Sequence, residues 1–304
     1  SNLLKLSAGI AAAVVLLSFI LSRMLTRKIS VLLTGIRKVR EGAYEHRTHI
    51  PGRDEIAQIG EEFNSLTDRL QTTETLRRRF VSDASHELKT PLAAIRLLTD
   101  SILQTDNMDM ETVRDFVTDI GSEAERLSRI TEDLLRLTRL DSNQVDPPEV
   151  VEVAPVLEQV MRMMSLLAQE KGTELTCQTG GDCRVLATKG EVHQVIYNLT
   201  DNAVKYSGSH GSVRVELRRD GNDVVLTVAD NGPGIPEEDL PRVFERFYRV
   251  DKARSRAAGG TGLGLSIVQD TVTKRGGTVS AANRPEGGAV FTVRWPAAEG
   301  GGAV

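Results

Sequence analysis

The chain has 304 residues, 40% of them hydrophobic and 26% charged, with a formal net charge of −4. That length holds more than one domain, and that composition can fold around ordinary apolar cores. The slight acidity, with no dense Lys/Arg run interleaved with aromatics, argues against nucleic acid as a partner.

From Leu6 to Ser22 the run "LSAGIAAAVVLLSFILS" carries no charge over roughly 17 residues, the short end of a bilayer-spanning helix. Arg23, Arg27 and Lys28 follow at once, so the positive-inside rule puts the downstream chain in the cytoplasm. A signal peptide would carry its charge before the apolar stretch and a cleavage site after it, and here the stronger charge comes after. A transmembrane helix over 1–23 is therefore expected, in the inner or plasma membrane. The chain opens on Ser rather than Met, which reads as a fragment with its upstream part removed.

Two amphipathic segments come next. Ile29, Leu32, Ile36 and Val39 have the 3/4 spacing of a helix seam, as do Ile56, Ile59, Phe63, Leu66 and Leu70. Gly42 and "IPGRDE" interrupt them, and Gly42 to Asp54 is long enough to join two parallel helices. Residues 24–75 resemble a HAMP signal-relay module, including the "DE" that opens its second helix. Such modules usually carry a proline near the start of the first helix, and none lies between Arg27 and Val31. A generic juxtamembrane coiled coil has the same seam periodicity.

Over 76–141 the pattern predicts two long helices, Leu76–Thr105 and Met110–Leu140, joined by a polar turn around "TDNMD". The second offers Val113, Phe116, Ile120, Leu127, Ile130, Leu134 and Leu137 as an apolar stripe. One hairpin cannot cover both stripes, but two can, so a homodimeric four-helix bundle is expected. In the first helix Phe80, Ala84, Leu88, Pro91, Ile95, Leu98 and Ile102 share one stripe, and His86 lies roughly 160° from its centre, facing outward. Pro91 leaves the carbonyl of Glu87 without its donor and bends or loosens the helix one turn beyond His86, at a cost of about 3 kcal/mol in a plain helix. A neutral imidazole has a free lone pair, Glu87 can hold the proton on its other nitrogen, and Thr90, one turn on, can orient a water. "SHELKTPL" resembles the H-box of two-component sensor histidine kinases. The resemblance implies that His86 accepts the phosphoryl group, that Glu87 is its general base, and that Thr90 serves dephosphorylation of the partner.

"DSNQVDPPEV" breaks the helix, and 142–150 reads as a linker. Beyond it the pattern is mixed α/β, with helices from Pro155 to about Lys171 and from Gly190 to about Ser207. Alternation on both sides of Asp220-Gly221 predicts a hairpin, and "GGTVSAANRPEGGAVFTVRW" predicts a second. Cys177 and Cys183 lack metal-site spacing and read as reduced thiols. Residues 298–304 read as a disordered tail.

A phosphorylated histidine needs a donor, and the chain has no Walker-type loop. Three other features offer a site. On the helix "EVHQVIYNLTDNAVKYS", Glu191, Gln194, Asn198, Asn202 and Lys205 fall within about 80° of arc, opposite Val192, Ile196, Leu199 and Ala203. Asparagines are poor helix formers there, but side-chain carbonyls suit Mg²⁺ and a lysine suits phosphate. In "DNGPGIP", Asp230 ends a strand where a carboxylate can accept from an exocyclic amine, and Gly232 and Gly234 admit a flat ligand. "GGTGLGLSIV" sets free N–H groups before a helix, where an anion can sit.

Together these resemble the N, G1 and G2 boxes of the α/β sandwich (Bergerat/GHKL-type) ATP-binding domain that histidine kinases share with gyrase, MutL and Hsp90. The resemblance assigns residues 151–297 to that domain and implies ATP and Mg²⁺ as cofactors. It implies Asn202 as the metal ligand, Asn198 and Lys205 as phosphate contacts, and Tyr206 beside the nucleotide. Asp230 would read adenine, with Gly232 and Gly234 lining its pocket, and Gly260, Gly262 and Gly264 would hold the phosphate tail. "FERFYR", with Phe244 and Phe247, resembles the F-box, and Pro236 to Gly260 would be a lid. Thr188 stands where relatives often carry an aspartate. The expected function is autophosphorylation of His86 and transfer to an aspartate of a response-regulator receiver domain, with dephosphorylation as a further activity. The alternatives are a GHKL-type ATPase and a kinase-dead signalling scaffold.

Overall fold

The computed structural model describes residues 2–105, 108–141, 147–208, 210–251 and 260–298. They divide into two compact units, Ser1–Ser82 and Asp83–Val304.

In the first unit, helix α1 (Asn2–Arg40) carries the apolar N-terminal run, fully exposed and long enough to cross a membrane. Its last turn bears Arg37, Lys38 and Arg40, cations that suit the negative end of the helix dipole. Helix α2 (Glu55–Gln104) begins after a connector whose segment around Thr48 and Ile50 is buried against both helices. A Cβ on Gly35 would land on the Thr48 methyl, so α1 needs a glycine there for the connector to approach. Asn64 brackets Thr48, accepting from its N–H at 2.9 Å and donating to its carbonyl at 2.8 Å. Lys28 pairs with Asp54 at 2.5 Å. The seam is only partly covered within one chain: Val39 is buried and Leu32, Ile56 and Phe63 half-buried, while Ile29, Ile36, Ile59, Leu66 and Leu70 are exposed.

α2 runs unbroken from Glu55 to Gln104, where the sequence predicts a new helix from Leu76. No glycine or proline falls between Gly60 and Pro91, so nothing in the backbone stops it. In the second unit α2 is followed by α3 (Met110–Asp141). The expected stripes are the half-buried and buried faces of these helices, with Pro91, Ile130 and Leu137 fully inside.

The remainder is an α/β sandwich. Strands β1 (Glu149–Glu152) and β3 (Arg184–Ala187) form a small antiparallel pair. Glu149 and Val150 therefore belong to a strand rather than to the expected 142–150 linker, whose residues 142–146 lie outside the described residues. The main sheet has the order β2-β4-β5-β7-β6, built from β2 (Glu174–Gly180), β4 (Ser212–Asp220), β5 (Asp223–Asp230), β6 (Thr278–Asn283) and β7 (Ala289–Pro296). β2 and β4 are parallel and the other neighbours antiparallel, so both expected hairpins are present. Helices α4 (Val153–Glu170), α5 (Lys189–Tyr206) and α6 (Gly264–Lys274) supply the rest of the core. Val213, Val215 and Leu217, Val224, Leu226 and Val228, and Phe291, Val293 and Trp295 are buried with them by strand alternation. The intervening Arg214, Arg218 and Arg294 are exposed.

Cys177 is an exposed free thiol and Cys183 a buried one. Of the expected tail, Ala298 is still tied down, its N–H bonded to the Arg184 carbonyl at 2.8 Å, and residues 299–304 lie outside the described residues.

Candidate active site

His86 is exposed on α2, opposite the half-buried row of Ala84, Leu88, Ile95 and Leu98. The Thr90 hydroxyl donates to the His86 carbonyl at 3.1 Å, which fixes it one turn beyond the imidazole. Pro91 does not end the helix. Its ring is buried, and that packing offsets part of the hydrogen bond lost at the Glu87 carbonyl.

Glu87 faces inward. Its Oε2 accepts from Nη2 of Arg126 on α3 and from Nη2 of Arg249, each at 3.1 Å. The three side chains are 18%, 7% and 4% exposed, so this is a desolvated carboxylate between two guanidinium groups. Sequence reasoning missed both arginines. Arg126 had left a signal, since it stands four residues before Ile130, within the apolar stripe, where a buried cation demands an anion. Arg249 had none beyond its place after Phe247.

The three features expected to bind nucleotide meet around α5, Asn198 touching Gly264 and Gly232 lying against Tyr206. α5 starts on Thr188, whose hydroxyl accepts from the Glu191 N–H at 3.2 Å while the Glu191 carboxylate accepts from the Thr188 N–H at 2.8 Å. This reciprocal cap, legible as T-x-x-E, gives Thr188 a structural role that an aspartate would also fill. Glu191 is further held by Arg275 through two bonds of 2.9 Å, so it belongs to the scaffold and not to the ligand face. Further along the same stripe, Asn198 accepts from Gln194 at 2.8 Å and donates to the Gly264 carbonyl at 3.1 Å. That bond joins the N-box helix to the glycine-rich loop. Lys205 pairs with Asp201 at 2.6 Å. Asn202 is half-buried and makes no side-chain hydrogen bond among the described residues.

Asp230 is in phase with Val224, Leu226 and Val228, so alternation drives its carboxylate inward at the end of β5. It is 4% exposed, and Oδ1 accepts from the N–H groups of Gly232 at 2.8 Å and Ala289 at 3.2 Å. Burial pushes its pKa above the usual aspartate value, against the opposing pull of those two N–H groups and of Arg284. Gly232 lies against the carbonyl of Tyr206, the last residue of α5, where any Cβ would collide. Asn283 clamps the next turn, donating to the Ile235 carbonyl at 2.6 Å and accepting from its N–H at 2.8 Å, close beside Gly234.

The F-box segment closes on the glycine-rich loop. Phe244 packs edge-on against Phe291 with centroids 6.4 Å apart, and the Phe247 N–H donates to the Gly262 carbonyl at 2.8 Å. Of the expected lid, residues 252–259 lie outside the described residues, and Gly260 is half-buried where the chain resumes. Thr261 donates to Oδ2 of Asp133 on α3 at 2.8 Å. Burial raises the Asp133 pKa above the ordinary value, opposed first by that hydroxyl.

The donor set suits the expected ligands. Asn202 offers a carboxamide oxygen fitting a hard cation, and no cluster of three or more His, Cys, Asp or Glu side chains able to hold a metal occurs among the described residues. Such a site fits an ion that phosphate oxygens help to ligate.

Three family models match the chain in order: the HAMP domain over residues 20–72, the His Kinase A (phospho-acceptor) domain over 76–143, and the histidine kinase-, DNA gyrase B- and HSP90-like ATPase over 188–299. The signal transduction histidine-protein kinase AfsQ2 of Streptomyces coelicolor is 35% identical over 317 residues, 97% of this chain and 58% of its own length. BaeS of Escherichia coli is 31% identical over 283 residues, 92% of this chain and 60% of its own. The chain thus spans somewhat over half the length of these curated relatives. Histidine kinase ThkA, crystallised in complex with response regulator protein TrrA, shares the fold at a TM-score of 0.61 and 23% identity, covering 82% of this chain and 69% of ThkA. An exposed histidine ahead of a buried proline, the three modules in this order and these relatives over nearly the whole chain place it in the two-component sensor histidine kinase family.

Proposed function

We propose that the chain is a spanning helix and the cytoplasmic part of a membrane sensor kinase that phosphorylates His86 from ATP and passes the group to an aspartate of a response regulator. The observation that carries this reading is the outward-facing His86 beside a Glu87 that Arg126 holds to α3 and Arg249 ties to the nucleotide-binding domain. In the transfer a ring nitrogen of His86 attacks the γ-phosphorus, the P–N bond forms, and the bond to the bridging oxygen of ADP breaks. The ring proton passes to Glu87 once its carboxylate leaves the arginines. Asp230 accepts from the adenine amine, Gly232 and Gly234 line the base, and Asn198, Lys205, Gly260, Gly262 and Gly264 hold the phosphates. Asn202 would ligate Mg²⁺, which supplies charge neutralisation. Positioning and charge neutralisation carry most such phosphoryl transfers.

Thr90 would orient the water that removes the phosphoryl group from the regulator's aspartate. That ThkA is crystallised with a response regulator supports such a regulator as the partner, and the half-covered stripes of α2 and α3 support a homodimer. The domain boundaries expected from sequence remain our assignment, with the nucleotide domain extended back to Glu149.

Incubation with γ-³²P-ATP and Mg²⁺ should give an acid-labile label that maps to His86 and is absent from His86→Ala. Steady ATP hydrolysis with no protein-bound label would instead indicate an ATPase, and ATP binding with neither would indicate a scaffold.

A further inference from the structure

Asp133 sits where an anionic side chain is least expected. It lies on α3, yet its Oδ2 takes the hydroxyl of Thr261, between Gly260 and Gly262 of the glycine-rich loop. The same hydroxyl accepts from the Leu263 N–H at 3.3 Å, and Leu263 is the residue on which α6 begins. Lys205 and Arg136 lie close enough to pull on the Asp133 charge, and neighbouring Glu132 opposes them. A carboxylate thus stands on a hydroxyl of the glycine-rich loop just ahead of the positive end of α6, while Lys205, paired with Asp201 at 2.6 Å, adds only a weaker pull. Gly260 and Gly262, on either side of that hydroxyl, are among the residues that the proposed function gives to the phosphate tail.

We propose that Asp133 acts as an internal surrogate for the phosphate tail: a positioning residue that docks the glycine-rich loop on α3 through Thr261 and competes with the nucleotide's phosphates for that loop. The inference rests on the nucleotide reading of this cleft. Two anions cannot share one small, half-buried site without mutual repulsion, so docking of α3 and binding of the triphosphate oppose each other. By reciprocity, if docking weakens triphosphate binding by some factor, bound triphosphate weakens docking by the same factor, and loss of the contact tightens the nucleotide by up to that factor. Bound triphosphate should likewise release the loop from α3, freeing the nucleotide domain to move toward His86.

The test is equilibrium binding of a non-hydrolysable ATP analogue with Mg²⁺ to the full chain in detergent. Asp133→Asn keeps an acceptor for Thr261 and removes the charge, while Asp133→Ala removes both. Each should tighten the analogue by roughly tenfold, within the usual range of such couplings. Adenosine, which has no phosphate tail, should bind all three proteins equally. Glu132→Gln removes a charge one residue away from an exposed position and should leave the analogue's affinity unchanged. Unchanged or weaker analogue binding by Asp133→Asn overturns the proposal, as does an equal gain for adenosine or for Glu132→Gln. Those failures leave the nucleotide site standing, whereas a wild-type chain that does not bind the analogue removes the reading beneath it.

Discussion

Asp230, proposed to read the adenine amine, is a buried carboxylate whose charge weighs against stability. Its folded pKa is raised by burial, so the native state holds the proton more tightly than the unfolded chain does. The contribution of this group is therefore fully present below the ordinary aspartate pKa and is lost as pH rises through the raised folded value. Asp230→Asn keeps an acceptor for the Gly232 and Ala289 N–H groups and removes that loss. We expect a melting temperature at pH 7 equal to or above wild type and a flatter profile between acid and neutral pH. Nucleotide binding should weaken by roughly tenfold or more, the range for a hydrogen bond to a charged group. Thermal unfolding across pH and equilibrium ATP binding measure the two effects, and full retention of binding would remove Asp230 from base recognition.

Among the elements, α2 is the one whose local energetics conflict with its length. Fifty residues of helix carry a single interior proline, five positions after His86. Pro91→Ala restores the N–H that the Glu87 carbonyl lacks and should stabilise the hairpin by about 1–3 kcal/mol, less whatever the buried ring contributes. If the weakened turn serves phosphoryl transfer, the same variant should label His86 more slowly. Urea unfolding and initial labelling rates follow the two, and a more stable chain that labels at the wild-type rate would leave the proline with no mechanical role. The connector between α1 and α2 shows a different economy, with Asn64 satisfying both backbone groups of Thr48 where no strand or helix is available to do so.

For the whole molecule, the incompletely covered apolar stripes decide assembly. Phe80, Leu88, Ile95 and Leu98 on α2 and Phe116, Ile120, Leu127 and Leu134 on α3 are only half-buried within one chain. Ile36, Ile59 and Leu66 in the first unit are exposed. A second copy presenting the same faces would cover them. In detergent the chain should sediment as a dimer, and its melting temperature should rise with protein concentration because association favours the folded state. A monomer with a concentration-independent transition across the micromolar range would rule this out.

The sequence by itself determined the modules and their order, because those signals are local or periodic. A charge-free run, 3/4 and 2-residue spacings, "SHELKTPL" and the three boxes need only their neighbours to be read. The outward placement of His86, the inward placement of Asp230 and the cap at Thr188 all follow from phase along a single element. What the tertiary structure decided are pairings between residues far apart in the chain. Glu87 meets Arg249 across 162 positions, and Asp133 meets Thr261 across 128. No local pattern encodes which carboxylate a buried arginine will find, since that depends on how the hairpin and the sandwich pack, and packing depends on the whole surface of both.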